Sequence, residues 1–507
     1  MVIKMTEQYK IFEASLTGTE NGNPYSDIWL KAAFENESER IEVNGFYCGD
    51  GSYKVRFMPT KPGIWSAVTA SNDSALNQIS LTCECIAAGE GNHGRVLPMN
   101  EVYAPKDVTE ESRYHFAYED GTRFRPFGTT CYAWVNQPEH VQEQTLDTLK
   151  NSPFNKVRMC IFPKFYTYNV ENPPYYAFAG NEEEGFDYSR FNPVFWDNLE
   201  KRIGELDDLG IEADIILLHP YDKWGFADMG RETDVFYLKY AVDRLSHFKN
   251  VWWSLANEYD LLPSKSIEDW ELYARVIMRR DAYGHLRSIH NCLRLYDHTR
   301  SWITHASIQR VDNYKTSEAV TEWRQQYQKP IMVDECAYEG NINYGWGNLT
   351  GEEMTRRFWE GCIRGGYLTH GEVYVQYEQI WWSHGGSLHG TCPERLAFLR
   401  KIMEEAPKEA APLKLTPENH GENWDVSCLC KEDDKSYFLY YFGFFRPSFR
   451  TCLLYTSKAQ APQPALRSCL PEMTRTCAGL FLIPLFLLQL HHGPLWPPAP
   501  LPQRSVC

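Results

Sequence analysis

Between residues 124 and 406 the chain changes its periodicity eight times in the same way: a short buried-strand run, then an amphipathic helix. The strand candidates are Phe124–Gly128, Lys156–Ile161, Ala213–Leu218, Val251–Ala256, Arg287–His290, Trp302–Ala306, Pro330–Val333 and Glu372–Val375. Between them apolar residues recur at helical spacing, as in Phe195, Leu199, Ile203 and Leu206, in Val235, Leu238, Val242 and Leu245, and in Met354, Phe358 and Cys362. Parallel strands joined by helices bury both faces of a sheet, and eight of them close into a (β/α)8 barrel, typically of about 250 residues. A doubly wound open sheet is the competitor. It is disfavoured because no glycine fingerprint follows the first strand.

The flanks read differently. Residues 1–100 hold short, partly alternating runs, from Tyr9–Leu16 through Trp65–Thr69. They are punctuated by turns such as Asn21-Gly-Asn-Pro24 and Lys61-Pro-Gly63, which predicts an antiparallel β-sandwich. Residues 101–123 read as a connector. Residues 412–450 contain two strand-like stretches, Trp424–Cys430 and Ser436–Phe442, and read as part of a C-terminal β-sandwich. From Thr451 the text turns rich in Pro and Leu with one acidic residue, Glu472, and reads as a frameshifted or adapter-derived tail outside the native fold. Its apolar run, Ala478–Leu490, has Pro484 inside and falls short of the roughly 20 residues a spanning helix needs. No membrane association is expected.

The net charge is −16, which supplies no phosphate-neutralising surface, so nucleic-acid binding is excluded. The pairs Cys83/Cys85 and Cys428/Cys430 alternate in strand text and fit one packed face, and no zinc-type C-x-x-C pairing appears. Charged residues fill the N-terminus in place of an apolar signal run. These features predict reduced thiols and a cytoplasmic protein without metal or cofactor.

Barrel enzymes build their sites at the C-terminal ends of the strands. Ala256-Asn-Glu-Tyr-Asp260 follows the fourth strand and Asp334-Glu-Cys336 the seventh. Those strands face each other across the mouth. Glu258 and Glu335 are therefore placed as a carboxyl pair, the chemistry of glycoside cleavage: one protonates the leaving oxygen while the other attacks the anomeric carbon. Aromatic residues crowd the same end: Tyr132, Trp134, Phe165, Tyr166, Tyr168, Trp224, Tyr338, Tyr344, Trp346, Trp381 and Trp382. Loop packing accounts for about half of such residues, and the remainder suits a sugar-stacking cleft and a carbohydrate substrate. His219, His290 and His305 are read at the ends of the third, fifth and sixth strands, as hydrogen-bond donors to carboxylates or sugar hydroxyls. Two alternatives stand beside the glycosidase: a non-catalytic carbohydrate-binding barrel, and a metal-dependent barrel hydrolase, which lacks its ligand spacing here.

Asn257-Glu258 after the fourth strand and Glu335 after the seventh resemble the catalytic pair of clan A retaining glycoside hydrolases. Residues 9–445 resemble a bacterial group of glycosidase-like proteins with an N-terminal sandwich of unknown function, an apiosidase-like barrel and a C-terminal sandwich. Phe57-Met-Pro-Thr-Lys-Pro-Gly-Ile-Trp65, Phe127-Gly-Thr-Thr-Cys-Tyr-Ala-Trp134 and Leu218-His-Pro-Tyr-Asp-Lys-Trp-Gly225 carry that likeness. The resemblance implies Glu258 as acid/base, Glu335 as nucleophile, Asn257 on the sugar 2-hydroxyl, and Trp381 or Trp382 as floor of the reactive subsite. For the buried Arg158 two partners are weighed, a core carboxylate or Glu335. The clan's basic residue at that place favours Glu335, with Arg158 keeping it ionised. The clan's tyrosine on the sixth strand is not evident; His305 or Gln309 stands there.

Overall fold

The computed structural model describes residues 2–311, 316–377, 380–406, 411–412, 426–431 and 438–442. The tail reading for Thr451–Cys507 lies outside the described residues, as does most of the stretch 412–450. Val426–Lys431 and Phe438–Phe442 are strands there and pair antiparallel.

The N-terminal region is two packed sheets. Five strands run in the order Val2–Glu7, Ser80–Ile86, Gly63–Ser71, Leu30–Glu35, Arg40–Asn44, opposed by a sheet of Phe12–Thr17, Ser52–Phe57 and Phe46–Gly49. The pairing is antiparallel except between the first two strands of the larger sheet, which are parallel. Alternation buries Phe12, Ala14, Phe34, Val55, Phe57 and Trp65 between the sheets, with Cys83 and Cys85 unpaired on the same face. Tyr283, from the barrel, enters this core, and its hydroxyl accepts from the Met58 amide at 2.7 Å. Arg56 leaves the sandwich to pair with Glu200 on a barrel helix at 2.5 Å.

Eight parallel strands form the barrel: strand 1 Phe127–Thr130, strand 2 Lys156–Cys160, strand 3 Glu212–Leu218, strand 4 Val251–Ala256, strand 5 Arg287–Ser288, strand 6 Ala306–Gln309, strand 7 Ile331–Glu335 and strand 8 Tyr367–His370. Hydrogen bonding runs 5-4-3-2-1-8-7-6. The last seam, between strands 5 and 6, has no ladder. A few bonds bridge it: the Thr304 amide donates to the Arg287 carbonyl at 2.9 Å, Thr304 Oγ1 accepts from the Arg287 amide at 2.8 Å, and Asn291 bonds both the amide and the carbonyl of Gln309 at 3.2 Å.

The helices start where the sequence supplies caps. Asn192 caps Pro193–Asp208, and Ser266 with Asp269 forms a capping box on Ile267–Arg280. The stripe Phe195, Leu199, Ile203 and Leu206 is buried against the sheet, as its spacing requires.

Three strand positions differ from the sequence reading. Strand 1 begins at Phe127, because Arg123–Phe124 pairs with Phe116–Tyr118 in a small sheet below the barrel. Val96, Phe116 and Phe124 of that sheet cover Trp252, Leu286, Met332 and Tyr367, which close the N-terminal end. Strand 6 starts at Ala306 rather than ending there. Strand 8 is Tyr367–His370, and Glu372–Val373 instead pairs with Glu339–Gly340 beyond it.

The barrel interior carries charge. Lys156 meets Asp214 at 2.7 Å and Asp334 at 2.8 Å; Arg158 meets Asp334 at 3.2 Å and Asp214 at 3.5 Å. Ser307 and Thr369 donate to Asp334 at 2.5 and 2.7 Å. All four charged side chains are fully buried. Burial would raise the Asp334 carboxyl, but Lys156 and then Arg158 hold it well below the usual carboxylate range. Removing one partner of such a network strands the opposite charge. Asp334→Ala is expected to lower unfolding stability by about 3–5 kcal/mol in denaturant melts. The wild-type contribution is present above the ordinary carboxylate pKa of about 4 and is lost as pH falls through the depressed value in the fold.

Candidate active site

Glu258 follows strand 4 with φ 52° and ψ 55°, left-handed for a residue that is not glycine. Non-glycine residues hold that geometry where the surroundings over-determine it. Here Tyr259 N donates to the His290 carbonyl at 2.9 Å, and Asp260 accepts three backbone amides, Cys292, Leu293 and Arg294, at 2.6–2.8 Å. The two loops after strands 4 and 5 are thereby tied together around Glu258. Glu335 is the last residue of strand 7, directly after Asp334 of the charged core.

A tyrosine hydroxyl donates to each carboxylate: Tyr221 to Glu258 and Tyr132 to Glu335. Tyr132 stands 3.3 Å from Asn257 Oδ1 and 3.5 Å from the hydroxyl of Tyr338, which also bonds Glu335. Tyr338 reaches that position because Gly371 has no side chain; a Cβ there would lie 2.3 Å from the Tyr338 ring. The tyrosine absent from strand 6 is therefore replaced from strands 1 and 7.

Burial, then the charge of Glu335, pushes Glu258 up to about 7, against Lys164 and hydrogen bonds from Tyr221 and Gln309. Burial also raises Glu335, which Lys164, the Tyr132 hydroxyl and Arg158 draw back. Glu335 is the first of the pair to ionise, since two tyrosine hydroxyls and the Lys164 and Arg158 cations all favour its charged form.

This corrects the expectation for Arg158. Its guanidinium is taken by Asp334, Asp214, Ser307 at 3.2 Å and Asn257 Oδ1 at 3.0 Å. It does not hold Glu335 below the normal range; the nearer influence is Lys164. The carbonyl oxygen of Asn257 is held by Arg158.

The histidines do not gather. His219 bonds the Phe162 carbonyl at 3.1 Å, and His290 is buried among the barrel charges. His305 precedes strand 6 and packs on Phe116 and Trp252, at the end of the barrel opposite the mouth. Burial keeps all three neutral near pH 7. Among the described residues the one set with metal-ligating geometry is Glu339, His370 and Glu372. Its two carboxylates accept the amides of His389, Gly390, Thr391 and Cys392, ahead of helix Cys392–Glu405.

The aromatics divide. Trp134 and Trp381 are core residues, Trp381 donating to Thr129 at 2.8 Å. Trp224 packs with Phe165 and Tyr176 beside the Phe178–Phe191 hairpin. Trp382 is the tryptophan at the carboxylates, edge-on to Tyr132 at 6.0 Å and close to Tyr166, Tyr338 and Trp346. Tyr221 and Lys164 were not picked out from the sequence as site residues. Tyr221 lies two residues past His219, within a stretch already quoted; Lys164 carries no motif.

Over residues 110–409 the chain matches the family model "Apiosidase-like, catalytic domain", and over residues 5–72 that of a domain of unknown function, DUF5060. A candidate glycoside hydrolase from Bacteroides vulgatus is 41% identical, with 85% of this chain and 83% of that one covered and a TM-score of 0.78. A glycoside hydrolase family 5 protein from the same organism shares the fold at 18% identity and a TM-score of 0.52, over 68% of this chain and 79% of that one. A comparison with curated proteins returned no match. Among the described residues no helix is long and apolar enough to cross a membrane. With its strand-end glutamates on a barrel of the family 5 type, the chain belongs to the apiosidase-like family of glycoside hydrolases.

Proposed function

We propose that the protein is a retaining glycoside hydrolase that cleaves O-glycosidic bonds of small oligosaccharides or glycosides by double displacement. The observation that carries this reading is the pair of buried glutamates at the ends of strands 4 and 7, each bonded by a tyrosine hydroxyl, with burial and the charge of Glu335 raising Glu258 to about 7. In the first step the Glu335 carboxylate attacks the anomeric carbon. The C–O bond to the leaving group breaks, and Glu258 gives that oxygen its proton. In the second, Glu258, now a carboxylate, takes a proton from water. The water oxygen attacks the same carbon and releases Glu335. Since the carbonyl oxygen of Asn257 is occupied by Arg158, its amide nitrogen is the group left to donate to the sugar 2-hydroxyl. Trp382 supplies the stacking face.

Wild-type protein tested on a panel of aryl glycosides, with the anomer of the first product read by NMR, is expected to show retention. Inversion on an active substrate would overturn the mechanism. Turnover should survive a chelator, because no step here uses a metal.

A pH prediction follows from the same groups. The acid must be protonated, so kcat/KM should fall with a limb near pH 7 as Glu258 loses its proton. A profile flat from pH 6 to 9 would remove Glu258 from that role.

A further inference from the structure

Lys164 stands in the loop after strand 2 and is 3% exposed. Its Nζ lies 4.1 Å from the ring centroid of Tyr132, 4.3 Å from that of Tyr221 and 4.3 Å from that of Trp382. Tyr132 is the donor to Glu335 and Tyr221 the donor to Glu258, so the ammonium sits between the two arms that hold the carboxylates. Three aromatic faces stabilise the charge by cation–π attraction. They use none of its three N–H donors. Among the described residues Lys164 has no hydrogen-bond acceptor and no carboxylate within ion-pair distance. Of the groups at this mouth it is the strongest donor still open.

We propose that Lys164 is a substrate-binding residue of the reactive subsite, its ammonium donating to hydroxyl oxygens of a neutral sugar ring lying against Trp382. The inference rests on the glycosidase reading and deepens it. Neutrality follows from charge balance. Ionised Glu335 and charged Lys164 cancel, and protonated Glu258 adds nothing, so an acidic sugar would bring an uncompensated charge into a buried site. The lysine has a second effect at no extra distance: it is the largest influence opposing the rise of Glu335 and also of Glu258.

The test uses the full chain and the best aryl glycoside found for the wild type. Lys164→Met is expected to lower kcat/KM by about 10²–10³-fold, the usual loss for one donor to a developing charge or bound oxygen in a closed site. Both limbs of the pH profile should move to higher pH, because both carboxyls lose the cation that lowered them. Lys164→Arg keeps the charge and alters the donor geometry. It should leave both limbs near their wild-type positions while kcat/KM stays reduced. A structural role alone would change amount or thermal stability without moving the limbs. If Lys164→Met fails to fold, Lys164→Gln against Lys164→Arg carries the same comparison. Variants within threefold of wild type with unmoved limbs would overturn the proposal, as would an aryl uronide cleaved better than its neutral counterpart. Those outcomes leave the glycosidase reading standing. A wild type inactive on every glycoside would instead remove that reading, and this proposal with it.

Discussion

Replacing Glu335 by alanine should reduce turnover of every glycoside substrate by at least about 10⁴-fold, the scale seen when a covalent nucleophile is lost. The loss should not depend on the leaving group, since the missing bond is the one formed to the anomeric carbon. Mass spectrometry of wild-type protein with a slowly deglycosylated substrate should show the added sugar on the peptide containing Glu335; the variant should show none. Because Glu335 lies beside Asp334 yet outside the ion network, the variant should keep most of its thermal stability. Full activity in Glu335→Ala would end the double-displacement assignment.

Glu258→Ala should behave differently with different substrates. With a natural glycoside the leaving oxygen needs a proton, and general acid catalysis contributes about 10²–10⁴-fold. With an activated aryl group that needs no proton, the first step should survive nearly intact and the second should become limiting, so the glycosyl-enzyme accumulates as a burst. An added small anion such as azide, which needs no base, should restore turnover and give a glycosyl azide of retained configuration. Equal losses on both substrate classes, with no burst and no rescue, would count against Glu258 as acid/base.

The barrel was legible where its strands are apolar and hidden where they are not. Strand 4, Val251–Ala256, is a continuous buried run, and the sequence reading and the structure agree on it residue for residue. Strands 6 and 8 were misplaced for one physical reason. Ser307 and Thr369 point inward to Asp334, so Ala306–Gln309 and Tyr367–His370 look less apolar than the segments beside them. An apolar-run criterion slides off such strands onto Trp302–Ala306 and Glu372–Val375. That slip also carried His305 to the mouth, when it stands at the other end.

The glutamates were readable because each directly follows a recognisable strand. Their surroundings were legible in part: Tyr132 and Tyr338 stood among the aromatics at the strand ends, whereas Lys164 and Tyr221 were missed, and the four come from different loops or strand ends. No spacing in one sequence relates them. Arg158 was correctly read as buried and paired, but its partners Asp214 and Asp334 sit on strands 3 and 7. Choosing between Asp334 and its neighbour Glu335 requires knowing which side of the strand faces inward.

The seam between strands 5 and 6 is a compliant line through the wall of the site. Where a ladder is replaced by a few bonds at Thr304 and Asn291, opening requires breaking local contacts rather than a cooperative row. Glu258 belongs to that edge: Gln309, from one lip, and Cys292, from the other, both bond its carboxyl. Glu335 lies one strand beyond the strand 6 lip, its carbonyl accepting from the Arg310 amide at 2.9 Å, and it directly follows Asp334 of the cross-braced ions. In amide hydrogen exchange, Arg287 and Gln309, whose amides face the seam, should lose protection well before Val333 and Leu368. The seam therefore runs between the strands that carry the two carboxylates, one strand from each, and opening it changes the gap that a sugar ring must fit.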